Sequence, residues 1–167
     1  MNRQRGFSLI ELLIVVAIIL IIAAIAIPNL LKARIAAYEA SAVSSLRMVN
    51  DAEVTFAATY ASGYTEGFNR LGTPAGGQAD VNNADLLDPI LAGRGPLGTN
   101  TSFVKAGYIF VYTPTGSNAN FGFIAAYQIT ADPQARGSSG QRSFFSNEPL
   151  VIRSNATAAA SVSDLPI

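Results

Sequence analysis

The sequence contains no cysteine and no histidine. Without cysteine no disulfide can form, so a domain exported to an oxidising compartment has to hold its fold by packing alone. Without histidine, the commonest metal ligand and acid–base group is missing. Charge is scarce as well: 13% of the 167 residues are charged, and they sum to zero. That leaves no basic footprint for nucleic acid. Two of the eleven basic residues, Arg3 and Arg5, lie in the first six positions, so a chain without that leader is slightly acidic. Polarity itself is missing from residues 12–27, which carry no polar side chain at all. With half of its residues hydrophobic, the chain suits one modest domain on a membrane anchor.

Residues 7–27 form the apolar segment, and at ~1.5 Å rise per residue a helix of that length covers ~30 Å, the thickness of a hydrocarbon core. One carboxylate, Glu11, sits inside it. A charge near the middle of such a helix costs roughly 2.5 to 3.5 kcal/mol on insertion scales, so it needs a partner that the segment itself does not supply. An ordinary secretory signal, cut after Ala24-Ile25-Ala26, fits the basic start and the small residues. Against it, Glu11 interrupts the apolar region, and helical character continues beyond Pro28 with no extended cleavage segment.

The chain starts with a short basic leader ending in Gly6. Residues 7–19 then read F-S-L-I-E-L-L-I-V-V-A-I-I, and A-I-A-I-P-N follows at 24–29. At these residues the sequence resembles the type IV pilin superfamily, which includes the pseudopilins of type II secretion. The resemblance covers roughly residues 6–31. It implies cleavage between Gly6 and Phe7 by a membrane prepilin peptidase and N-methylation of Phe7 by the same enzyme. A residue without a side chain before the scissile bond lets the backbone enter a narrow cleft.

Cleavage would give Phe7 a new ammonium, which methylation leaves cationic. A neighbouring subunit staggered by about one turn would bring that ammonium to Glu11, so the pair is expected between chains. Relief available only from a neighbour selects assembly and register together. The alternative is a monomeric anchor whose Glu11 snorkels or is protonated. Pro28 lacks an N–H and opposes the carbonyl of Ala24, which predicts a kink or local melting. Ala23, Ala24 and Ala26 would allow close helix approach there.

Beyond Pro28, Ala42, Leu46, Val49, Ala52, Phe56 and Tyr60 recur at spacings of three and four, with Arg47, Asn50, Asp51 and Thr55 expected off that stripe. Aromatic residues at such spacing fill cores; an electron relay is the remoter reading. Residues 61–106 are glycine-rich and loop-like, with a short helix expected at 84–92 after Asn83, weakened by Pro89. Strands are expected at 108–113, 122–130, 143–146 and 150–154. Turns are expected at 115–118, around Pro133, Gly137 and Gly140, and at 147–149. The economical topology is an antiparallel meander with one face on the helix stripe. Residues 155–167 read as a loosely held tail.

No chemistry emerges. Asp80, Asp85 and Asp88 lack the frame of a calcium loop and its distal Glu. Asp132 lies near a turn where some pseudopilins hold calcium, with no matching ligand set here. Residues 137–140 form neither a phosphate loop nor a nucleophile elbow. Asn100 and Asn155 begin sequons. The expectation is therefore a non-enzymatic α+β chain with no catalytic, cofactor or metal residues. A long N-terminal hydrophobic helix packs on a C-terminal antiparallel sheet of about four strands. Its segments are a leader (1–6), a transmembrane and polymerisation helix (7–28), an amphipathic second half (29–60), a variable region (61–106), a sheet (107–154) and a tail (155–167).

The expected function is that of a type IV pilus subunit, processed at Gly6 and Phe7 and assembled through Glu11 and Pro28 into a homo-oligomeric helical filament. Its expected partners are the inner membrane, which it spans once with its N-terminus cytoplasmic, the prepilin peptidase and a pilus or secretion assembly machinery. The assembled product is a cell-surface pilus, and no specific nucleic acid is expected. Alternatives are a major pseudopilin of type II secretion and a minor pilin acting as a binding module.

Overall fold

Helix α1 spans Leu9–Tyr60, 52 residues, in a computed structural model that describes residues 7–74, 76–118 and 123–167. It starts where the Ser8 carbonyl accepts the N–H groups of Glu11 and Leu12 at 3.1 and 3.2 Å, and Leu, Ile and Ala then sustain it. The helix continues through Pro28, so the local melting expected there is not observed. Proline removes one hydrogen bond and crowds one carbonyl, and the turns on either side remain helical. By compactness the chain divides into Met1–Arg34 and Ile35–Ile167. The change of unit thus falls after Pro28 rather than at it.

Within Ile35–Ile167 the second half of α1 buries one stripe. Glu39, Ala42, Leu46, Val49, Glu53 and Phe56 follow at spacings of three and four and are all buried. They pack against a six-stranded sheet with β1 (Ser102–Lys105), β2 (Tyr108–Asn118), β3 (Phe123–Pro133), β4 (Ser143–Asn147), β5 (Arg153–Asn155) and β6 (Leu165–Pro166). Strand order follows the chain and every pairing is antiparallel, a simple meander. Along β2 the pleat turns Tyr108, Phe110 and Tyr112 into the core and leaves Ile109 and Val111 exposed, as period-two alternation requires. Aromatic rings complete that core: Phe103 stacks on Phe110 at 4.3 Å and Tyr112 on Tyr127 at 5.6 Å, with Phe68 edge-on to Phe103 at 4.8 Å. Such pairs contribute about 0.5–1.5 kcal/mol beyond burial.

Several sequence expectations change. The sheet has six strands rather than four, because β1 and the two-residue β6 close its edges. The turn expected at 115–118 lies within β2. Gly116, at φ +64°, absorbs the irregularity inside the strand. Gly122, the expected start of the next strand, is outside the described residues. Residues 84–92 form no helix: 84–88 are irregular, with Leu87 bridged to Gly72, and turns follow from Pro89. Asp85 sits at φ +56°, Pro89 supplies no N–H, and the Asp88 carboxylate accepts the N–H groups of Ile90 and Leu91 at 2.9 and 3.2 Å, closing a local turn in its place. The helical turn of this region is a 3₁₀ turn at Phe68–Leu71.

Asn50, expected on the solvent side, is buried. Its amide donates to Ser146 Oγ at 2.7 Å and accepts from the Tyr127 hydroxyl at 3.1 Å. Glu53 is fully buried beside it. Its Oε2 accepts the Thr65 N–H at 3.0 Å, and its Oε1 lies 2.5 Å from Thr65 Oγ1, which also reaches the Gly67 carbonyl at 3.1 Å. The Tyr112 hydroxyl donates to the Thr65 carbonyl at 2.9 Å. One threonine hydrogen cannot serve both Glu53 and Gly67. A proton on Glu53 supplies the missing bond. Burial accordingly raises the Glu53 pKa above its ordinary 4.5, against the hydrogen bonds from Thr65.

The C-terminal residues are held rather than loose. The Arg136 guanidinium donates to the Gln141, Ala156 and Ala158 carbonyls at 2.7, 3.2 and 2.6 Å and to Ser143 Oγ at 2.6 Å. Asp164 accepts from Ser161 N and Asn155 Nδ2 at 2.7 and 2.8 Å, and Ile167 N–H returns to the Ile152 carbonyl at 3.1 Å.

Two outcomes follow from these contacts. The folded state binds the Glu53 proton more tightly than the unfolded chain, so stability should fall as pH rises from about the ordinary 4.5 through the raised value. Glu53→Gln, which keeps a donor without titrating, should flatten that decline in thermal unfolding measured from acid to neutral pH; an unchanged pH slope would refute the assignment. Arg136→Ala should accelerate amide exchange of Ala158 and its neighbours by about tenfold while the β2–β3 amides keep their protection. Hydrogen–deuterium exchange with peptide resolution measures both.

Candidate processing and assembly segment

In Met1–Arg34 every described residue is solvent-facing apart from a half-buried Ala23. Phe7 is 81% exposed and precedes the first helical residue by two positions. Glu11 is exposed in the first turn of α1. Its side chain meets no hydrogen-bond or ion-pair partner among the described residues. Gly6 lies outside them. Pro28 is inside the helix, seventeen positions after Glu11, so about five turns separate the two. The structure therefore does not bring Glu11 and Pro28 together within one chain.

The chemistry available here is apolar contact and one carboxylate. Leu9, Leu12, Leu13, Val16 and Leu20 line one shallow groove along the helix, at the spacing of a continuous face. The helix is long and apolar enough to cross a membrane. Burying each such Leu, Ile or Val is worth about 1.5–3 kcal/mol, so this surface favours lipid or protein cover over water.

The domain half contributes charged groups that periodicity alone did not single out. Glu39 Oε1 accepts the N–H groups of Gln141 and Arg142 at 2.9 and 3.0 Å, and Oε2 pairs with Arg142 Nε at 2.8 Å. Burial opposes the charged form, but these donors and the guanidinium hold the carboxyl below its ordinary range. The signal was present in the sequence: Glu39 and Glu53 stand three positions before Ala42 and Phe56, on the apolar stripe itself. Burial and the Glu39 charge push the Tyr108 hydroxyl up, and burial with Glu53 does the same at Tyr112. Glu39 and Arg142 also line a small open cleft beside the helix, with Ala36, Val43 and Arg47.

Other candidates find structural work. Asp80 Oδ1 accepts the N–H groups of Asn82 and Asn83 at 2.9 and 2.8 Å. Asp132 lies opposite Ile109 in the β2–β3 ladder. Among the described residues no three Asp or Glu groups cluster as metal ligands. Asn155 spends its amide on Asp164 and accepts from Thr157 and Ala158 N–H at 3.0 and 2.9 Å.

Comparison with known proteins bears on the N-terminal segment first. Residues 1–27 match the prokaryotic N-terminal methylation motif. The chain is 38% identical over 131 residues to the type IV major pilin protein PilA of Myxococcus xanthus, an alignment covering 71% of this chain and 59% of that protein. It is 68% identical over 34 residues to the type IV wide pilus major component PilA4 of Thermus thermophilus, covering 20% of this chain and 26% of that one. The matches thus span less than two thirds of either relative's length. No solved structure gives a significant match. The methylation motif, the 38% identity to a type IV major pilin over 71% of this chain, and an apolar helix followed by an antiparallel sheet support reading the chain as a type IV pilin.

Proposed function

We propose that this chain is the structural subunit of a type IV pilus. In this reading residues 1–6 are a leader removed between Gly6 and Phe7 by a prepilin peptidase, Phe7 is N-methylated, and residues 7–28 hold the subunit in the inner membrane with its N-terminus cytoplasmic until assembly. The observation that carries the reading is Glu11, a carboxylate without a partner among the described residues, within an exposed apolar helix that begins inside a methylation motif. The name of the Myxococcus relative, a major pilin, supports a major rather than a minor subunit.

The physics of assembly follows from that arrangement. Lipid covers the apolar helix before polymerisation, and neighbouring helices cover it afterwards. Burying Glu11 ionised and alone, in lipid or among neighbouring helices, is unfavourable, whereas docking it on the ammonium of a neighbour's Phe7 satisfies both groups. A contact between two different surfaces of identical chains does not close, and it propagates as a helical fibre. Pro28 weakens the helix by one hydrogen bond next to Ala24 and Ala26, where close approach costs least.

The mature subunit should begin at N-methylated Phe7, as read by mass spectrometry of the intact protein and its N-terminal peptide. A mature chain starting at Ile27 would establish the ordinary secretory route instead. Replacing Gly6 with Leu should leave precursor in the membrane.

Glu11→Val should insert at least as well as the parent, because the intramembrane charge is gone, and should abolish fibres or Phe7 methylation. Electron microscopy of sheared surface fibres and N-terminal mass spectrometry read the two effects separately. Normal fibre yield with normal methylation would refute the pairing. Short periplasmic filaments in place of surface fibres would favour the pseudopilin reading.

A further inference from the structure

A polar cleft of 440 Å³ opens on the domain between three loop segments. One wall is the 3₁₀ turn with Asn69 and Arg70, preceded by Glu66; the second is the turn carrying Asn82 and Asn83; the third is the entry to β1 at Asn100 and Thr101. We propose that this cleft binds a neutral saccharide through the hydroxyl groups of its sugar rings.

The walls are fixed by backbone contacts, so the lining groups are presented without being ordered by the ligand. Ala84 N–H donates to the Arg70 carbonyl at 2.8 Å, and the Leu86 and Leu87 N–H groups reach the Leu71 carbonyl at 2.8 and 2.9 Å. The Arg94 guanidinium ties the first two walls, donating to the Asn69 and Thr73 carbonyls and to Asn83 Oδ1. The third wall is locked by Tyr112 N–H on the Thr101 carbonyl at 2.7 Å. Gly67 lies so close to it that a Cβ there would stand 2.4 Å from the Asn100 carbonyl oxygen.

The lining chemistry selects the ligand class. The side-chain amides of Asn69, Asn82 and Asn100 and the Thr101 hydroxyl have no side-chain or backbone partner among the described residues. Each amide offers donors and an acceptor side by side, and a sugar hydroxyl needs both. The charged members, Glu66 and Arg70, neutralise each other at 2.9 Å. An anion would require surplus positive charge and a cation surplus carboxylates, and neither is present. A planar heterocycle would require an aromatic or flat apolar wall, yet the cleft is lined by polar side chains. The proposal concerns the domain surface and stands whether or not the chain forms filaments.

Saturation-transfer NMR and calorimetry on the full-length chain in detergent test it, using maltotriose, cellotriose, mannotriose and chitotriose as probes. Their monosaccharides form a second arm, and sialyllactose and a heparin fragment serve as charged controls. At least one neutral trisaccharide should bind more tightly than its monosaccharide, as a site for a polymer chain requires. Asn69→Ala with Asn100→Ala should weaken it by about tenfold or more, while Gln134→Ala, on the β3–β4 turn, should not. If the double variant unfolds by circular dichroism, Asn82→Ala, on the exposed turn, is read in its place. The proposal fails if no neutral saccharide binds at about 10 mM. It also fails if the variants retain parental affinity or if the charged controls bind better.

Discussion

One helix has to satisfy two different solvents. Its first half carries apolar side chains on every face, and its second half buries them along a single stripe. The first pattern suits an environment that is apolar all round and the second suits a domain core on one side and water on the other. Because the α-helix satisfies its own backbone, it can pass between the two without a loop. Pro28 is tolerated for the same reason: one absent hydrogen bond is a local cost in a 52-residue element.

Three polar side chains on the second half of that helix fix the parts of the domain that packing alone would leave adjustable. Glu39 holds the segment entering β4, through two N–H groups and a guanidinium. Asn50 bridges β3 and β4 through Tyr127 and Ser146. Glu53 holds the chain just after the helix through Thr65. Each lies on or beside the apolar stripe, where an unpaired polar group would be destabilising by about 1–3 kcal/mol. Each is therefore also a constraint on register. A slip of β4 by one residue would strand Glu39 and Asn50. The two acids act in opposite directions with pH: donors and a guanidinium lower the Glu39 pKa against its burial, and burial without a cation raises that of Glu53.

Much of this architecture was legible because the strongest signals are periodic. The alternation of Tyr108, Phe110 and Tyr112 announces a half-buried strand, and the stripe from Ala42 to Phe56 announces the helix face beneath it. What escaped notice is what periodicity does not encode. Ser102–Lys105 and Leu165–Pro166 are too short to show a period and become strands only because an edge is there to receive them. The helix expected at 84–92 has the right apolar spacing, yet the Asp88 side chain closes a turn first, a local competition that spacing cannot report. Among the candidate site residues, Phe7 and Glu11 were singled out by motif and hydropathy. The polar cleft was not, since its asparagines come from three segments that only the fold brings together.

The absence of cysteine changes how the C-terminal region can be closed. A disulfide would act mainly by restricting the unfolded chain, and its effect would grow with the loop it spans. Here the same region is closed in the folded state alone. Arg136 gathers carbonyls from positions 141, 156 and 158. Asp164 gathers Ser161 and Asn155. These bonds lie near the surface, so water competes for each of them, and the closure is reversible on the timescale of local opening. A chain fastened this way needs no oxidising step to fold, and its C-terminal segment can open while the helix–sheet core stays folded. Local opening and global unfolding are thereby separated, which a covalent staple across the same residues would prevent.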